Sequence, residues 1–359
     1  MGYLGRSPTP SPIDSSDIPA NSIDASKIID GAIAVADVAD NAITEAKIAD
    51  AAVVSLKSGR KNLIINGDMK VSQRGDYTTA SAATNDSYSL DRWRDWSGIA
   101  RTFQHTTGLT INGTTNKKGL KYVATAASSA SYMGTRQKLE GEDVPNGVVV
   151  TSSCMMRTNN ANARIRTYGI VSGGVTSAAC PSDGNWHKVT LTQTTNTVGT
   201  PEVGVLVYNG NETTTSIAVG DYIEVADFQL EVGSVATDFE HRSYGEELAL
   251  CQRYYEKSYD KDSYAGSAFG YNTPMINTTG PLYDWSRISS TFAVEKRATP
   301  SVIVYGHAGP SGVVSRDAGG TFYETSGSVT ASTRIIVVGQ SGGTAGYGIA
   351  AQWTADAEL

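Results

Sequence analysis

The chain has 359 residues, carries 29 Lys and Arg against 36 Asp and Glu for a net charge of −7, and devotes 75 positions to Ser and Thr. An acidic chain with no basic block does not suit nucleic acid, and no apolar run approaches the ~18 residues needed to cross a bilayer, so no nucleic-acid partner and no membrane insertion are expected. Three scattered cysteines, Cys154, Cys180 and Cys251, make neither a disulfide framework nor a zinc site, and a composition with only 18% charged residues favours sheets and tight turns over helical bundles.

Residues 1–8 hold no apolar signal-peptide core. Residues 11–60 then repeat every ten. An apolar branched side chain recurs every fifth position, at Ile13, Ile18, Ile23, Ile28, Ile33, Val38, Ile43, Ile48 and Val53. A spacing of five steps 140° round a helix and alternates faces of a strand, so no single regular element buries this set. A lone copy offers little core for its length. Several copies wound about one axis would let each Ile pack on its symmetry mates and pair the backbone groups a single chain leaves open. The spacing therefore predicts an intertwined homo-oligomeric shaft over 13–60, with those nine side chains as axial packing. A disordered linker is the other reading of a segment poor in aromatics.

The repeat, of the form NAITEAKIAD, resembles the decapeptide-like repeats of fibre and tail-associated proteins of tailed phages, marine phages among them, and the opening MGYLGRSPTP is similar to their N-termini. The resemblance implies a homotrimer attached to the phage tail or an adaptor protein through residues 1–12.

After Lys61 the composition changes. Asn62-Leu63-Ile64-Ile65-Asn66-Gly67-Asp68-Met69 reads as a strand and an Asn-Gly turn, with a second extended run to Gly75. Gly67 and Gly75 suit turn positions with special backbone angles. The stretch NLIINGDMKVSQRG resembles the opening of a jelly-roll module of phage tail fibres, itself similar to carbohydrate-binding modules, with Met69 in place of an aromatic. Strands are predicted at 120–126, 147–157, 163–170, 187–193, 202–208 and 221–231, spaced as in a β-sandwich over 61–242. In the last, Tyr222, Glu224, Ala226 and Phe228 share one face, with Ile223, Val225 and Leu230 opposite, unless a bulge intervenes. Gly233 to Glu240 matches the family's closing strand. Trp93, Trp96 and Trp186 are candidate stacking platforms for a sugar ring, with Asp91, Arg92, Arg94 and Asp95 available for its hydroxyls. The competing reading places these tryptophans in the core.

Residues 243–257 (SYGEELALCQRYYEK) predict a helix. Ser243 and Glu246 form a capping box, and Leu248, Cys251 and Tyr255 share a face. This run also resembles phage tail fibres, and the domain plan gives it a linking role over 243–258. Residues 259–359 predict a β-rich tip with strands at 287–295, 300–305, 311–316, 321–325 and 333–339. Loops at 306–320, 326–332 and 341–347 would face the host surface.

No enzyme motif stands out. The histidines are isolated, and there is no nucleophile elbow, phosphate loop or dinucleotide fingerprint. No cofactor, metal or catalytic residue is expected. The expectation is a mainly β, elongated homotrimer: shaft, jelly-roll sandwich, short helix and β-rich head. By resemblance it is a virion tail fibre whose partners are itself, the tail, and host polysaccharide or an outer-membrane protein. The alternative is a capsid decoration, head fibre or tail connector with a purely structural jelly roll.

Overall fold

The computed structural model describes residues 61–196, 199–209, 215–269, 276–278, 285–317, 321–341 and 348–359. The expected attachment segment 1–12 and all nine repeat positions from Ile13 to Val53 lie outside the described residues.

Among the described residues twelve strands precede the helix. They are β1 (Ser81–Ala82), β2 (Tyr88–Leu90), β3 (Trp93–Asp95), β4 (Arg101–Ile111), β5 (Thr114–Ala124) and β6 (Met133–Lys138). There follow β7 (Val149–Thr158), β8 (Ala163–Tyr168), β9 (Gly174–Thr176), β10 (His187–Thr194), β11 (Glu202–Val207) and β12 (Tyr222–Val232). They form two six-stranded sheets, ordered β1-β4-β5-β12-β7-β10 (sheet I) and β2-β3-β6-β11-β8-β9 (sheet II). Neighbouring strands within each sheet are antiparallel. One apolar cluster fills the space between the sheets, with Cys154, Met156, Val225 and Leu230 from sheet I and Met133, Ile165, Val203 and Val205 from sheet II. The fold is thus a mainly β sandwich, as the sequence predicts. The six predicted strands all appear, with ends shifted by a few residues.

The NLIING segment forms no strand. In place of the expected hairpin, backbone and side-chain bonds lay it along β12, the Leu63 amide donating to the Leu230 carbonyl at 2.8 Å. Asn62 lies along β12, its Nδ2 donating to the Phe228 carbonyl (3.1 Å) and its Oδ1 accepting from the Leu230 and Ile64 amides (3.1 and 2.9 Å). The residues with positive φ are Asn66 and Met69, both at 57°, and not Gly67 or Gly75. Gly67 is required for another reason. Its carbonyl accepts from the Phe228 amide at 2.8 Å, and a Cβ there would come within 2.2 Å of the Phe228 carbonyl oxygen. Likewise 233–240 is no closing strand. Glu231 accepts from the Thr237 amide (2.9 Å), Gln229 Oε1 from the Glu240 amide (2.8 Å), and Glu240 from the Lys61 and Asn62 amides (3.1 and 2.8 Å).

The helix, α1 (Tyr244–Gln252), is shorter than predicted but carries the expected capping box. Ser243 accepts from the Glu246 amide (3.2 Å), and Glu246 accepts from the Ser243 amide (2.8 Å). It buries Glu247 and Cys251. Tyr255, expected on the helix, instead opens a strand.

The C-terminal part holds β13 (Tyr255–Lys257), β14 (Ile276–Thr278), β15 (Trp285–Thr291), β16 (Ser301–Tyr305), β17 (Val313–Asp317), β18 (Phe322–Ser326), β19 (Ser328–Ala331), β20 (Ile335–Ser341) and β21 (Gly348–Asp356). Strand β21 is the hub, pairing with β13, β14, β16 and β17, while β15, β20 and β19 form a small separate sheet. The expected loop 326–332 is largely strand β19. Phe292, Val304, Val314, Ile336 and Trp353 make this part's own core. Ion pairs fasten it to the sandwich, the Arg92–Glu358 pair deeply buried. Arg92 bonds Glu358, and Arg74 bonds Asp356 (2.9 Å) and Glu358 (3.1 Å). All three cysteines are buried and unbridged. Among the described residues no helix is long and apolar enough to cross a membrane.

Candidate functional site

Two of the three tryptophans named from the sequence are structural. Trp93 is fully buried, meets Phe228 edge-on with centroids 5.5 Å apart, and donates its indole N–H to the Asn66 carbonyl at 2.7 Å. No sugar reaches it. Trp96 lies on the outer face of sheet II but is 8% exposed. It packs on Leu206 and Tyr208, with the Arg136 and Arg166 guanidinium carbons 4.6 and 5.1 Å from its ring. Almost none of the ring is left open.

The polar residues around them are equally engaged. Asp91 accepts from the Gln73 side chain (2.8 Å) and Arg94 pairs with Asp86 (3.5 Å). Asp95 pairs with Arg101, whose Nε donates at 3.0 Å. Burial pushes the Asp95 carboxyl up to about 6, against the opposing pull of Arg101. Asp91, Arg92 and Asp95 are thus buried charge, and Arg94 alone reaches an exposed partner.

Trp186 is different. It immediately precedes β10 and is half-buried. Its loop is fixed by Asp183, whose Oδ1 accepts from the Asn185 amide (2.9 Å) and meets His187 Nε2 (2.9 Å). These bonds hold the Asp183 carboxyl down at about 2. The ring packs with Ile111, Met155, Ala226 and Leu109. Cys154 and Met156 enter the core, so Met155 between them points from the opposite face of sheet I. Trp186 therefore stands on that outer face. Arg157 lies 4.9 Å from the Trp186 ring centroid and is itself held by the fully buried Glu224 at 2.6 Å.

Beside this cluster a hollow of about 270 Å³ opens, with Ile111 and Met155 as shared wall. Its polar side comes from the bulge in β12, where the register shifts between Ala226 and Gln229 and Asp227 adopts φ 49°. Lys117 Nζ donates to Asp227 Oδ2 (2.9 Å) and lies 3.3 Å from His241 Nε2. Phe239 stands edge-on to His241 with centroids 5.0 Å apart. Asp227 Oδ1 is buried with no hydrogen-bond partner, an acceptor left for an incoming donor. The arrangement offers an aromatic flank, an apolar floor, and one cation and one carboxylate placed to bond hydroxyl groups. Sequence reasoning named Trp186 but missed Asp227, Phe239 and His241. The signal for Asp227 was the broken alternation in β12.

Among the described residues no group of three His, Cys, Asp or Glu could hold a metal. Of the expected tip loops, 318–320 and 342–347 lie outside the described residues.

No family model and no curated protein matches the chain. Solved structures overlap it at low identity. The enzymatically active domain of bacteriophage CBA120 tailspike protein 4 is 9% identical with a TM-score of 0.33, covering 48% of this chain and 21% of that one. TmCBM61, solved with β-1,4-galactotriose, is 12% identical with a TM-score of 0.29, covering 48% of this chain and all of that one. The CBM22-1-CBM22-2 tandem of Paenibacillus barcinonensis Xyn10C is 13% identical with a TM-score of 0.28, covering 79% and 99%. The overlap thus spans about a fifth of the tailspike chain.

Proposed function

We propose that this chain is a fibre protein of a tailed-phage virion, without catalytic activity of its own, that adheres to host-surface polysaccharide. The observation that carries the adhesive part is the outer face of sheet I, where the half-buried Trp186 ring, steadied by Arg157, adjoins a polar hollow whose Asp227 Oδ1 lacks a partner. An aromatic face suits the C–H face of a pyranose, and the flanking acceptor and donors suit its hydroxyls. The virion part rests on the sequence: the five-residue repeat and the motifs that resemble phage tail fibres. In this reading residues 1–12 dock to the tail or an adaptor, and 13–60 wind with two further copies into a shaft. The weak sites of one trimer then act together through raised local concentration.

A polysaccharide array probed with the full chain, followed by calorimetry on the best oligosaccharide, tests the adhesive reading. Trp186→Ala is expected to weaken binding about tenfold, roughly 1.4 kcal/mol, without unfolding the chain. Silence of the wild type across host polysaccharides favours the capsid, head-fibre or connector role instead. Sedimentation tests the shaft. Replacing Ile33 and Ile43 together with Asp should reduce the assembly to single chains, and an unchanged mass refutes axial packing.

A further inference from the structure

A second hollow, of about 240 Å³, lies where the sandwich meets α1 and the turn after β13, and its lining includes Lys70, Lys118, Lys261, His105, Asp76 and Asp262. We propose that it is a second saccharide site, one that takes the carboxylate of an acidic sugar, a uronic acid unit. The proposal rests on the reading of the chain as a polysaccharide binder, but on different residues.

Charge is the first argument. Three ammonium groups border the hollow, and only Lys70 is matched, by Asp68 at 2.6 Å. Among the described residues Lys118 has no carboxylate within 4.0 Å, and its Nζ reaches only the Lys70 carbonyl at 3.4 Å. Lys261 lies 5.2 Å from the Tyr244 ring and likewise has no described carboxylate partner. Burial, seconded by Lys261 and only partly opposed by Asp68, lowers the Lys118 ammonium below its ordinary value.

A buried orphan is the second argument. His105 is 6% exposed and borders the hollow; its ring bonds the Met69 backbone, and its Nε2 has no hydrogen-bond partner. Buried polar atoms of this kind ordinarily find one.

The walls do not depend on an occupant. Lys257, itself buried, donates to the carbonyls of Lys261 (3.0 Å) and Ser263 (2.6 Å) and so fixes the turn that presents Lys261. On the sandwich side Asp76 accepts from the Thr78 amide (3.0 Å) and hydroxyl (2.7 Å). The presence of Asp76 and Asp262 on the same rim selects the ligand class. A bare inorganic anion gains nothing from carboxylate neighbours. A uronic acid offers its carboxylate to the lysines and its hydroxyl hydrogens to the aspartates.

Calorimetry on the full chain tests this, with an oligoglucuronate set against the uncharged oligoglucoside of the same linkage and length. The wild type should bind the oligoglucuronate. Lys118→Met and Lys261→Glu should each weaken that binding about tenfold, while leaving binding of the uncharged oligosaccharide unchanged. Lys261 is exposed, so its replacement reports even if the Lys118 variant folds poorly. Oligoglucuronate binding undiminished in Lys261→Glu and in a folded Lys118→Met overturns the proposal. Loss of that binding in Trp186→Ala alone also overturns it, because it places the acidic sugar on sheet I. Inorganic phosphate binding as tightly as the oligoglucuronate makes the hollow a plain anion site and overturns it as well. If the wild type ignores the oligoglucuronate but binds the uncharged glycan, this site falls and the sheet I reading stands. If it binds neither, both fall.

Discussion

Replacing Glu358 with Ala should cost the protein about 3–5 kcal/mol. The Glu358 side chain is 4% exposed and accepts from Arg92, which is 1% exposed, and from Arg74 at 3.1 Å. Arg74 keeps Asp356 at 2.9 Å and lies 3.9 Å from the Tyr255 ring, so it tolerates the loss. Arg92 does not. Its remaining neighbours are the Lys138 carbonyl and the Tyr254 ring, 3.5 Å away, and neither neutralises a buried guanidinium. The cost is that of a charge left alone away from water, which is why the range for single buried-pair deletions applies rather than the smaller one for surface pairs. Urea unfolding followed by circular dichroism and tryptophan fluorescence reads it. With a slope of roughly 3 kcal/mol per molar, the midpoint falls by about 1–1.7 M. The double replacement Arg92→Met with Glu358→Leu removes both charges and should recover most of the loss. A Glu358→Ala protein within about 1 kcal/mol of wild type would refute the reasoning, because the pair would then not be shielded from solvent.

Two further outcomes follow from the bonds that shape the sheet I site. Asp183→Ala removes the acceptor that holds the Asn185 amide and His187 beneath Trp186, so saccharide binding should weaken severalfold while the urea midpoint stays put. Those bonds lower the Asp183 carboxyl from 3.8 to about 2. A depressed folded value means the support is fully present above pH ~3.8 and fades as pH falls through about 2, so binding should be flat from neutral pH to about 4. A gap between wild type and Asp183→Ala that closes near pH 5–6 counts against Asp183 as the support. Gly67→Ala drives a methyl into the Phe228 carbonyl and should cost about 1–3 kcal/mol in the same urea assay. An unchanged midpoint would show that the 62–69 segment yields freely.

The sandwich was legible because the predicted strands between 120 and 231 are short runs separated by Asn, Gly, Ser and Thr clusters, a signal carried by a few adjacent residues. Strand β4 (RTFQHTTGLTI) was not predicted, although its partner β5 was; its polar residues mask an inward face of Phe103 and His105. The helix start was readable from Ser243 and Glu246, whose bonds span three residues. Its end was not, since Tyr255 leaves the helix in order to pair with Asp356, a hundred residues away. The NLIING segment fails for the same reason. Its apolar run looks like a strand, yet its bonds to Phe228 and Leu230 combine the Asn62 side chain with single backbone bonds at Leu63 and Gly67 and make no ladder. For the site, Trp186 was readable as an aromatic candidate. Trp93 and Trp96 could not be told from it, because what separates them is burial by partners distant in sequence.

The bulge at Asp227 connects these threads. Without it, strict alternation would send Phe228 outward with Glu224 and Ala226, and the core between the sheets would lose the ring on which Trp93 packs. One extra residue flips Phe228 inward, where it joins Ile223, Val225 and Leu230. The inserted residue must then go somewhere, and it goes to the outer face with φ 49° and a buried carboxylate beside Lys117. Core and site are thus bound to a single backbone irregularity. The register that completes the packing of the sandwich also presents an acceptor to the hollow beside Trp186. Gly67 belongs to the same device, because its amide plane lies against Phe228, the first residue after the bulge. The segment that most resembles a phage fibre in sequence therefore braces the strand that builds the candidate binding face.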